Sequence, residues 1–194
     1  LTLRHEVSSE YKEKGSRFLA FGYPVESLDE VEAKLEALRK TYYDARHHCY
    51  AYRLGTAGET WRANDDGEPS HSAGTPILNQ LRSQELTNVL VVVIRYFGGT
   101  KLGVSGLINA YKTATATALD ETAIYQKILK AKCCFVYDYP QTNAVMRIQD
   151  QFELSPSHQD FQARCTLCWE VRLSQLEAVK AAVAEVEGVT FLEE

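Results

Sequence analysis

The chain of 194 residues contains only 5 Pro and 11 Gly, and it has no long hydrophobic run. The low glycine and proline content excludes collagen-like and low-complexity chains. The longest apolar run, Val89 to Ile94, has the length of a strand and falls short of the ~20 residues that a membrane-spanning helix requires. The first residues lack the apolar segment of a signal peptide, although a start at Leu1 leaves open that residues precede it. We therefore expect a cytoplasmic protein with no membrane partner.

An excess of positive charge is also missing. The chain has 21 Lys and Arg against 26 Asp and Glu, which gives a formal net charge of −5. Proteins that coat DNA carry a basic excess, so a DNA partner is not expected. Hydrophobic residues make up 45% of the chain and charged residues 24%, a balance that excludes disorder and is typical of globular proteins. Any contact with RNA would need a local basic patch.

The first two thirds of the sequence alternate between strand-like and helix-like patterns. Ser27 and Glu30 have the spacing of a helix capping box, and Pro76 suits the first turn of a second, short helix. We predict strands over 16–24, 47–54, 59–63 and 88–97, the last of them buried on both faces. Each helix is predicted to bury one apolar stripe: Leu28, Val31, Leu35 and Leu38; then Ile77, Leu78 and Leu81; then, after Gly103, Val104, Leu107, Ile108, Tyr111 and Ala118. The alternation predicts an α/β domain.

The last third has a pattern of its own. We predict a strand over 131–137, a helix over 140–151, a half-buried strand over 161–171 and a final strand over 189–192. Ser174 is expected to cap the last helix and Gly188 to end it. The order β-α-β-β-α-β with one polar sheet face predicts a ferredoxin-like domain. We therefore expect two domains, 1–124 and 125–194, in a mixed α/β (α+β) protein.

The five cysteines are predicted to be unpaired. Their odd number and the missing signal segment favour a reducing compartment over a disulfide framework. Cys165 and Cys168 have the spacing of a zinc or redox pair, but residues i and i+3 of a strand point to opposite faces. Cys133 and Cys134 diverge for the same reason. We interpret the cysteines as ordinary core and surface residues.

The loop over 65–74 is rich in acidic and hydroxyl side chains. Asp65, Asp66 and Glu68 place three carboxylates within four residues, and Ser70 and His71 follow. Carboxylates at this spacing can hold Mg²⁺ or accept hydrogen bonds from basic partners. The alternative is a turn followed by a helix cap, because these are the residue types from which turns are built. Both interpretations stay open at this stage.

A glycine-rich segment, RYFGGTKLG over 95–103, leads from the apolar strand into a helix. Glycines let backbone amides approach a ligand, a helix N-terminus favours anions, and Arg95 and Lys101 add positive charge. The segment is neither a Walker loop, since Leu102 follows Lys101, nor a dinucleotide-binding GxGxxG motif. The alternative is a strand-to-helix turn that packs tightly.

Four segments of the chain together resemble the IMPACT family, in particular its bacterial YigZ-like branch. They are Lys14-Gly15-Ser16-Arg17-Phe18, the stretch His47-His48-Cys49-Tyr50-Ala51-Tyr52, DDGEPS over 65–70 and RYFGGTKLG over 95–103. The paired DDGEPS and RYFGGTKLG signatures, in this order and at this distance, are specific to the family. The resemblance covers nearly the whole chain.

This resemblance implies both a fold and a role connected with translation. The first domain would share the βαβ fold of a small-subunit ribosomal protein, elongation factor G domain IV and GHMP kinases, and the second would resemble elongation factor G domain V. Eukaryotic relatives regulate translation by competing for the large activator of the amino-acid-starvation kinase. Bacteria lack that pathway, so that partner does not carry over. The kinship with translation factors suggests contact with RNA or the ribosome and is an argument by analogy.

Three hypotheses follow, and an enzymatic role is less favoured than a binding role. The first is a translation-associated binding protein that contacts RNA, the ribosome or a translation-related protein, with no catalytic residue and no cofactor. The second is a phosphate- or nucleotide-binding enzyme that uses Mg²⁺ at the acidic loop, and the third is a protein-only adaptor. The candidate ligand-binding residues are Arg95, Tyr96, Phe97, Gly98, Gly99, Thr100, Lys101 and Gly103. The candidate acidic-loop residues are Asp65, Asp66, Glu68, Ser70 and His71.

Overall fold

Two units, Leu1–Lys127 and Ile128–Glu194, make up the chain in a computed structural model that describes residues 1–119 and 123–192. We call them the front unit and the rear unit. The strands of the front unit are β1 (Thr2–Leu3), β2 (Val7–Glu13), β3 (Ser16–Pro24), β4 (His47–Leu54), β5 (Thr60–Asn64), β6 (Val89–Tyr96) and β7 (Ile124–Tyr125). Its helices are α1 (Leu28–Thr41), α2 (Gly74–Ser83) and α3 (Gly103–Ala118). Five strands form an antiparallel sheet in the order β2-β3-β6-β4-β5, while β1 pairs with β7.

The central strand β6 is buried on both faces, as its unbroken apolar run predicts. Every residue from Val89 to Arg95 is buried. Alternate side chains enter two different cores: one also contains residues of α2 and α3, and the other contains residues of α1. The carboxyl end of β6 is therefore held rigidly at the point where the RYFGGTKLG segment begins.

The helices confirm most of the predicted apolar stripes. Ser27 caps α1 as predicted, since its Oγ accepts a hydrogen bond from the Glu30 N–H at 3.2 Å. Three predictions are wrong, because Leu28, Val104 and Ile108 are exposed. Leu28 and Val104 lie in the first turn of α1 and α3, and Ile108 lies in the second turn of α3. No helix within residues 1–119 and 123–192 combines the length and apolar character needed to cross a membrane.

The β2–β3 hairpin is an element that the sequence analysis did not predict. Edge strand β2 alternates between half-buried and exposed residues and carries few apolar side chains, so its hydrophobic signal is weak. Lys14 and Gly15 form the turn, and both have a positive φ. This turn contacts the RYFGGTKLG segment, as described below.

The rear unit confirms the predicted ferredoxin-like order. Its elements are β8 (Lys130–Tyr137), α4 (Thr142–Gln151), β9 (Pro156–Phe161), β10 (Cys165–Arg172), α5 (Leu176–Ala184) and β11 (Thr190–Phe191). The antiparallel sheet has the order β11-β8-β10-β9. The strand predicted over 161–171 is confirmed from Cys165 onwards, but its first part is wrong, because residues 162–164 form a turn that separates β9 from β10. Ser174 does not cap α5, which starts after a short 3-10 turn without a side-chain cap.

The prediction that all five cysteines are unpaired is wrong for two of them. Cys134 on β8 and Cys168 on β10 form a disulfide. The antiparallel register places the two residues directly opposite each other, with their Cα atoms 4.1 Å apart. Spacing along the chain could not reveal this pair, since 34 residues separate its members. The three free cysteines are buried, as expected of small core residues: Cys49, Cys133 and Cys165.

Candidate functional site

A buried ion pair joins the two signature loops of the front unit. Arg95, near the end of β6, donates from Nη1 to Oε1 of Glu68 in the acidic loop at 2.7 Å. The Glu68 side chain is 4% exposed and that of Arg95 8%. A pair so far removed from water needs further hydrogen bonds to offset its desolvation. The loops, 27 residues apart in sequence, therefore form one structural element.

The Glu68 carboxylate receives its second hydrogen bond from helix α3. The Tyr111 hydroxyl donates to the same Oε1 atom at 2.9 Å. Burial raises the pKa of Tyr111, which keeps the hydroxyl protonated as a donor. Cys49 of β4 lies behind it, with Sγ 3.3 Å from the Tyr111 oxygen and 3.0 Å from the Asp65 carbonyl oxygen that accepts its proton. Burial also raises the pKa of Cys49, which favours the thiol over the nucleophilic thiolate.

Two aromatic rings and a serine hold the Arg95 guanidinium in place. Its Cζ lies 5.6 Å from the ring centroid of Phe18 and 5.6 Å from that of Phe97. Ser16 Oγ accepts hydrogen bonds from Arg95 Nη2 at 3.5 Å and from the Gly98 N–H at 3.2 Å. The Arg95 Nε atom is buried and has no hydrogen-bond partner within the described residues. Arg95 thus lines the site, and its positive charge is already paired with the carboxylate of Glu68.

Gly98 owes its identity to packing against the β2–β3 turn. A Cβ atom at this position would lie 1.8 Å from the carbonyl carbon of Gly15 and 2.2 Å from the Ser16 nitrogen. Gly99 and Gly103 differ, because a Cβ there would meet no atom within 4 Å. Both have a positive φ, +88° and +72°, which favours glycine for conformational reasons. The segment is anchored at Gly98 and open to solvent beyond it.

Asp65 serves as the cap of helix α2. Its Oδ1 accepts hydrogen bonds from the Ala73 and Gly74 N–H groups at 2.9 and 2.8 Å, and its Oδ2 accepts one from the His71 N–H at 2.8 Å. These contacts satisfy backbone donors that a helix start leaves free. The turn-and-cap alternative considered for the acidic loop therefore describes Asp65.

Replacing Asp65 with alanine is expected to lower the free energy of unfolding by about 1–2 kcal/mol, because the N–H donors at the start of α2 lose their acceptor. Asp65→Asn retains one acceptor oxygen and should lose less. Urea denaturation of both variants checks this expectation. An alanine variant no less stable than the asparagine variant would contradict the capping role.

The three carboxylates of the acidic loop point to different partners. Asp66 accepts a hydrogen bond from the His48 N–H through Oδ2 at 2.7 Å, and its Oδ1 lies 3.5 Å from Nη2 of Arg39. Asp65 faces α2 and Glu68 faces Arg95. In the part of the chain that the structure describes, no three His, Cys, Asp or Glu side chains are grouped so that they could hold a metal ion. The loop does not fit the Mg²⁺ site of the enzyme hypothesis.

An open cleft surrounds Phe97, a residue that is 58% exposed. One part, the cationic lobe, has a volume of about 440 Å³. The other part, the apolar lobe, has a volume of about 260 Å³. The cationic lobe is lined by Asp44, Arg46, His47, Arg95, Tyr96, Phe97 and Lys101. The apolar lobe is lined by Glu68, Pro69, Arg95, Phe97, Lys101, Leu102, Gly103, Val104 and Leu107.

Tyr96 and Asp44 are bound to each other within the cationic lobe. The Tyr96 hydroxyl donates to Oδ1 of Asp44 at 2.7 Å. This hydrogen bond raises the pKa of Tyr96 to about 12. Arg17 lies over the Tyr96 ring with its Cζ 6.0 Å from the centroid. Phe97 is therefore the aromatic residue of the segment that presents a ring to solvent.

The structure brings some predicted site residues to the cleft and leaves others away from it. Gly99 and Thr100 are exposed in the loop, and Ser70 is exposed in the acidic turn. His71 lines a separate groove of about 340 Å³ together with Thr75 and residues of α3. Its Nδ1 lies 3.1 Å from the Thr75 Oγ1. The predicted residues that line the cleft are Glu68, Arg95, Tyr96, Phe97, Lys101 and Gly103.

Sequence reasoning missed the residues that β4 contributes. Asp44, Arg46 and His47 precede or begin this strand, far from either signature. The β4–β6 register pairs His47 with Arg95, which places the start of β4 beside the RYFGGTKLG segment. The HHCYAY stretch was part of the resemblance, but no local pattern indicates that it adjoins the glycine-rich loop. Val104 was also missed, because its apolar character predicted burial.

Comparison with known proteins supplies the family context. The model of the Impact N-terminal domain matches residues 14–119. An IMPACT family member of Haemophilus influenzae is 30% identical over 191 residues, which cover 95% of this chain and 91% of that protein. The IMPACT family member YigZ of Escherichia coli is 31% identical over 152 residues, 77% of this chain and 74% of that protein. The crystal structure of a hypothetical protein matches with a TM-score of 0.69 and 27% identity, covering 100% of this chain and 96% of that one.

Proposed function

Since the chain belongs to the IMPACT family, we propose that it is a translation-associated binding protein that contacts RNA through the cleft around Phe97. One observation carries the proposal: an exposed aromatic ring stands beside a lobe lined by Arg46, His47 and Lys101. Cationic side chains bind phosphates, and aromatic rings stack on bases. The role in translation rests on the family resemblance. A cytoplasmic location remains part of the same proposal.

The cationic lobe is the local basic patch that an acidic protein would need for this role. Affinity for RNA depends largely on neutralising phosphates, and the net charge of −5 works against it over the molecule as a whole. Arg46 and Lys101 are exposed on the same lobe. Asp44 is the opposing charge there, and it is held by Tyr96. Replacing this carboxylate with an amide should therefore strengthen binding.

In this proposal the acidic loop supports the structure of the cleft and does not itself bind RNA. Glu68 pairs with Arg95 and Asp65 caps α2, so these carboxylates hold the cleft in shape. The enzyme hypothesis gains less support. Its Mg²⁺ ligands do not converge in the described residues, and the thiol of Cys49 is buried, which raises its pKa. A binding role therefore fits the geometry better than catalysis.

Co-sedimentation with ribosomes over a salt series tests the proposal, together with binding to a labelled single-stranded RNA. Arg46→Ala/Lys101→Ala is expected to weaken binding by about 100-fold or more at low salt, since charge-assisted hydrogen bonds contribute about 1.5–3 kcal/mol each. The dependence of affinity on salt should also become less steep, because fewer phosphate contacts remain. Asp44→Asn should change the affinity in the opposite direction.

The matched control is Arg4→Ala/Arg62→Ala, which removes two exposed positive charges from other parts of the front unit. This variant should bind nearly as well as the wild type. If the two double variants lose affinity equally, binding depends on net charge and not on the cleft. If the folded wild-type protein binds neither ribosomes nor RNA at low salt, the proposed function is wrong.

A further inference from the structure

We infer that the cleft takes single-stranded RNA, with one unpaired base in the apolar lobe and its phosphate in the cationic lobe. This inference rests on the proposed function and deepens it, because contact with RNA alone would be satisfied by a duplex. Three observations support the inference: the contact that holds Phe97 from one side, the residues that line the apolar lobe, and the residues that the two lobes share.

The aromatic ring of Phe97 is in contact with Arg95 on one side, which leaves the other side for a ligand. The Arg95 guanidinium lies 5.6 Å from its ring centroid and is itself held by Glu68 and Phe18. Phe97 nevertheless remains more than half exposed. A ring fixed from one side can stack on a planar group from the other without losing much conformational freedom. Tyr96 is half-buried and its hydroxyl is bound to Asp44, so Phe97 is the more accessible of the two rings.

The apolar lobe offers space for a base next to that platform. The lobe is lined by Pro69, Leu102, Val104 and Leu107, and the apolar residue Val104 is 52% exposed. Exposed apolar side chains grouped in a concave site mark a place where a ligand is desolvated. At about 260 Å³ the lobe has room for a nucleobase.

The lobes adjoin each other and share Phe97, Lys101 and Arg95. A ligand that spans both must therefore carry an apolar, planar part next to an anionic part. A nucleotide has this composition: the base suits the apolar lobe, and the phosphate suits Arg46 and Lys101. Because the positive charge of the cationic lobe is complementary to a phosphate, the group that enters the adjoining apolar lobe is the base attached to that phosphate.

A duplex does not present such a ligand. Its bases are stacked and paired, and the deep, narrow major groove of an RNA helix keeps side chains from their edges. An unpaired base, in contrast, can leave its neighbours and stack on an aromatic side chain. The cleft should consequently prefer single strands, loops or bulges to helical RNA.

Fluorescence anisotropy with a labelled 12-nucleotide single strand and a labelled 12-base-pair duplex tests the inference. The wild type is expected to bind the single strand at least tenfold more tightly. Phe97→Ala should weaken single-strand binding by about 5- to 150-fold, the range for losing one stacked base, and should leave duplex binding unchanged. Phe97→Leu keeps the apolar bulk but lacks the aromatic face, so this variant should also bind the single strand more weakly.

Trp61→Ala is the matched control, because Trp61 is also an exposed aromatic residue over an arginine, with Arg82 Cζ 4.5 Å from its ring. Its affinity for the single strand should equal that of the wild type. If single strand and duplex bind equally, and Phe97→Ala changes neither while Lys101→Ala weakens both, the inference is overturned and the proposed function stands. If the folded wild type binds no RNA at low salt, the proposed function fails and the inference with it.

Discussion

Replacing Glu68 with alanine is expected to lower the free energy of unfolding of the front unit by about 3–5 kcal/mol, the cost of leaving a buried charge without its partner. In the variant, the Arg95 guanidinium would remain buried with no carboxylate beside it. The Tyr111 hydroxyl would lose its acceptor as well. Hydrogen exchange of the β6 amides measures the loss, because this strand lies at the centre of the front sheet.

The double variant Glu68→Ala/Arg95→Met provides the control. It removes both charges, so no buried charge remains unpaired, and we expect it to recover most of the lost stability. A loss below about 1 kcal/mol in the single variant would place the pair among surface salt bridges and contradict its burial. Failure of the double variant to recover would mean that the loss comes from packing and not from the uncompensated charge.

Replacing Gly98 with alanine should destabilise the front unit by about 3 kcal/mol or more, at the upper end for overpacked sites. The added Cβ would overlap the backbone of Gly15 and Ser16, at 1.8 and 2.2 Å, and backbone cannot move aside as a flexible side chain can. Relief of the overlap would shift the segment that carries Phe97 and Lys101. RNA affinity should therefore fall together with stability, which urea denaturation and anisotropy measure in parallel.

Gly99→Ala is the matched substitution one residue further along. Its φ of +88° is unfavourable for alanine and costs about 1–2 kcal/mol, but the new Cβ meets open space. We expect a smaller loss of stability than in Gly98→Ala. Equal losses in the two variants would contradict the conclusion that the close approach of Gly98 to the hairpin turn anchors the loop.

The two signatures have different parts in the site. DDGEPS provides structure: Asp65 caps α2, Asp66 binds the β4 backbone, and Glu68 pairs with Arg95. RYFGGTKLG provides the surface, since it is exposed from Phe97 to Lys101. A motif rich in charge is therefore not necessarily the part that meets a ligand. Its charges can instead hold a neighbouring segment in position.

Local patterns in the sequence determined much of the fold. The apolar run of β6 predicted a strand buried on both faces, and the spacing of Ser27 and Glu30 predicted the start of α1. The order of elements in the rear unit was also predictable. These features depend on interactions between residues close in sequence, or on the period with which a strand or helix turns its side chains towards the core.

The tertiary structure alone decided how distant segments meet. The Glu68–Arg95 pair, the Cys134–Cys168 disulfide and the position of His47 beside Arg95 each depend on which strands are neighbours and in what register. A local pattern does not encode the register, because many pairings satisfy the same alternation of side chains. The periodicity of α3 likewise could not show that Val104 lies beyond the edge of the core. The sequence by itself thus determined most of the elements and the family, while packing over long distances decided which side chains form the cleft.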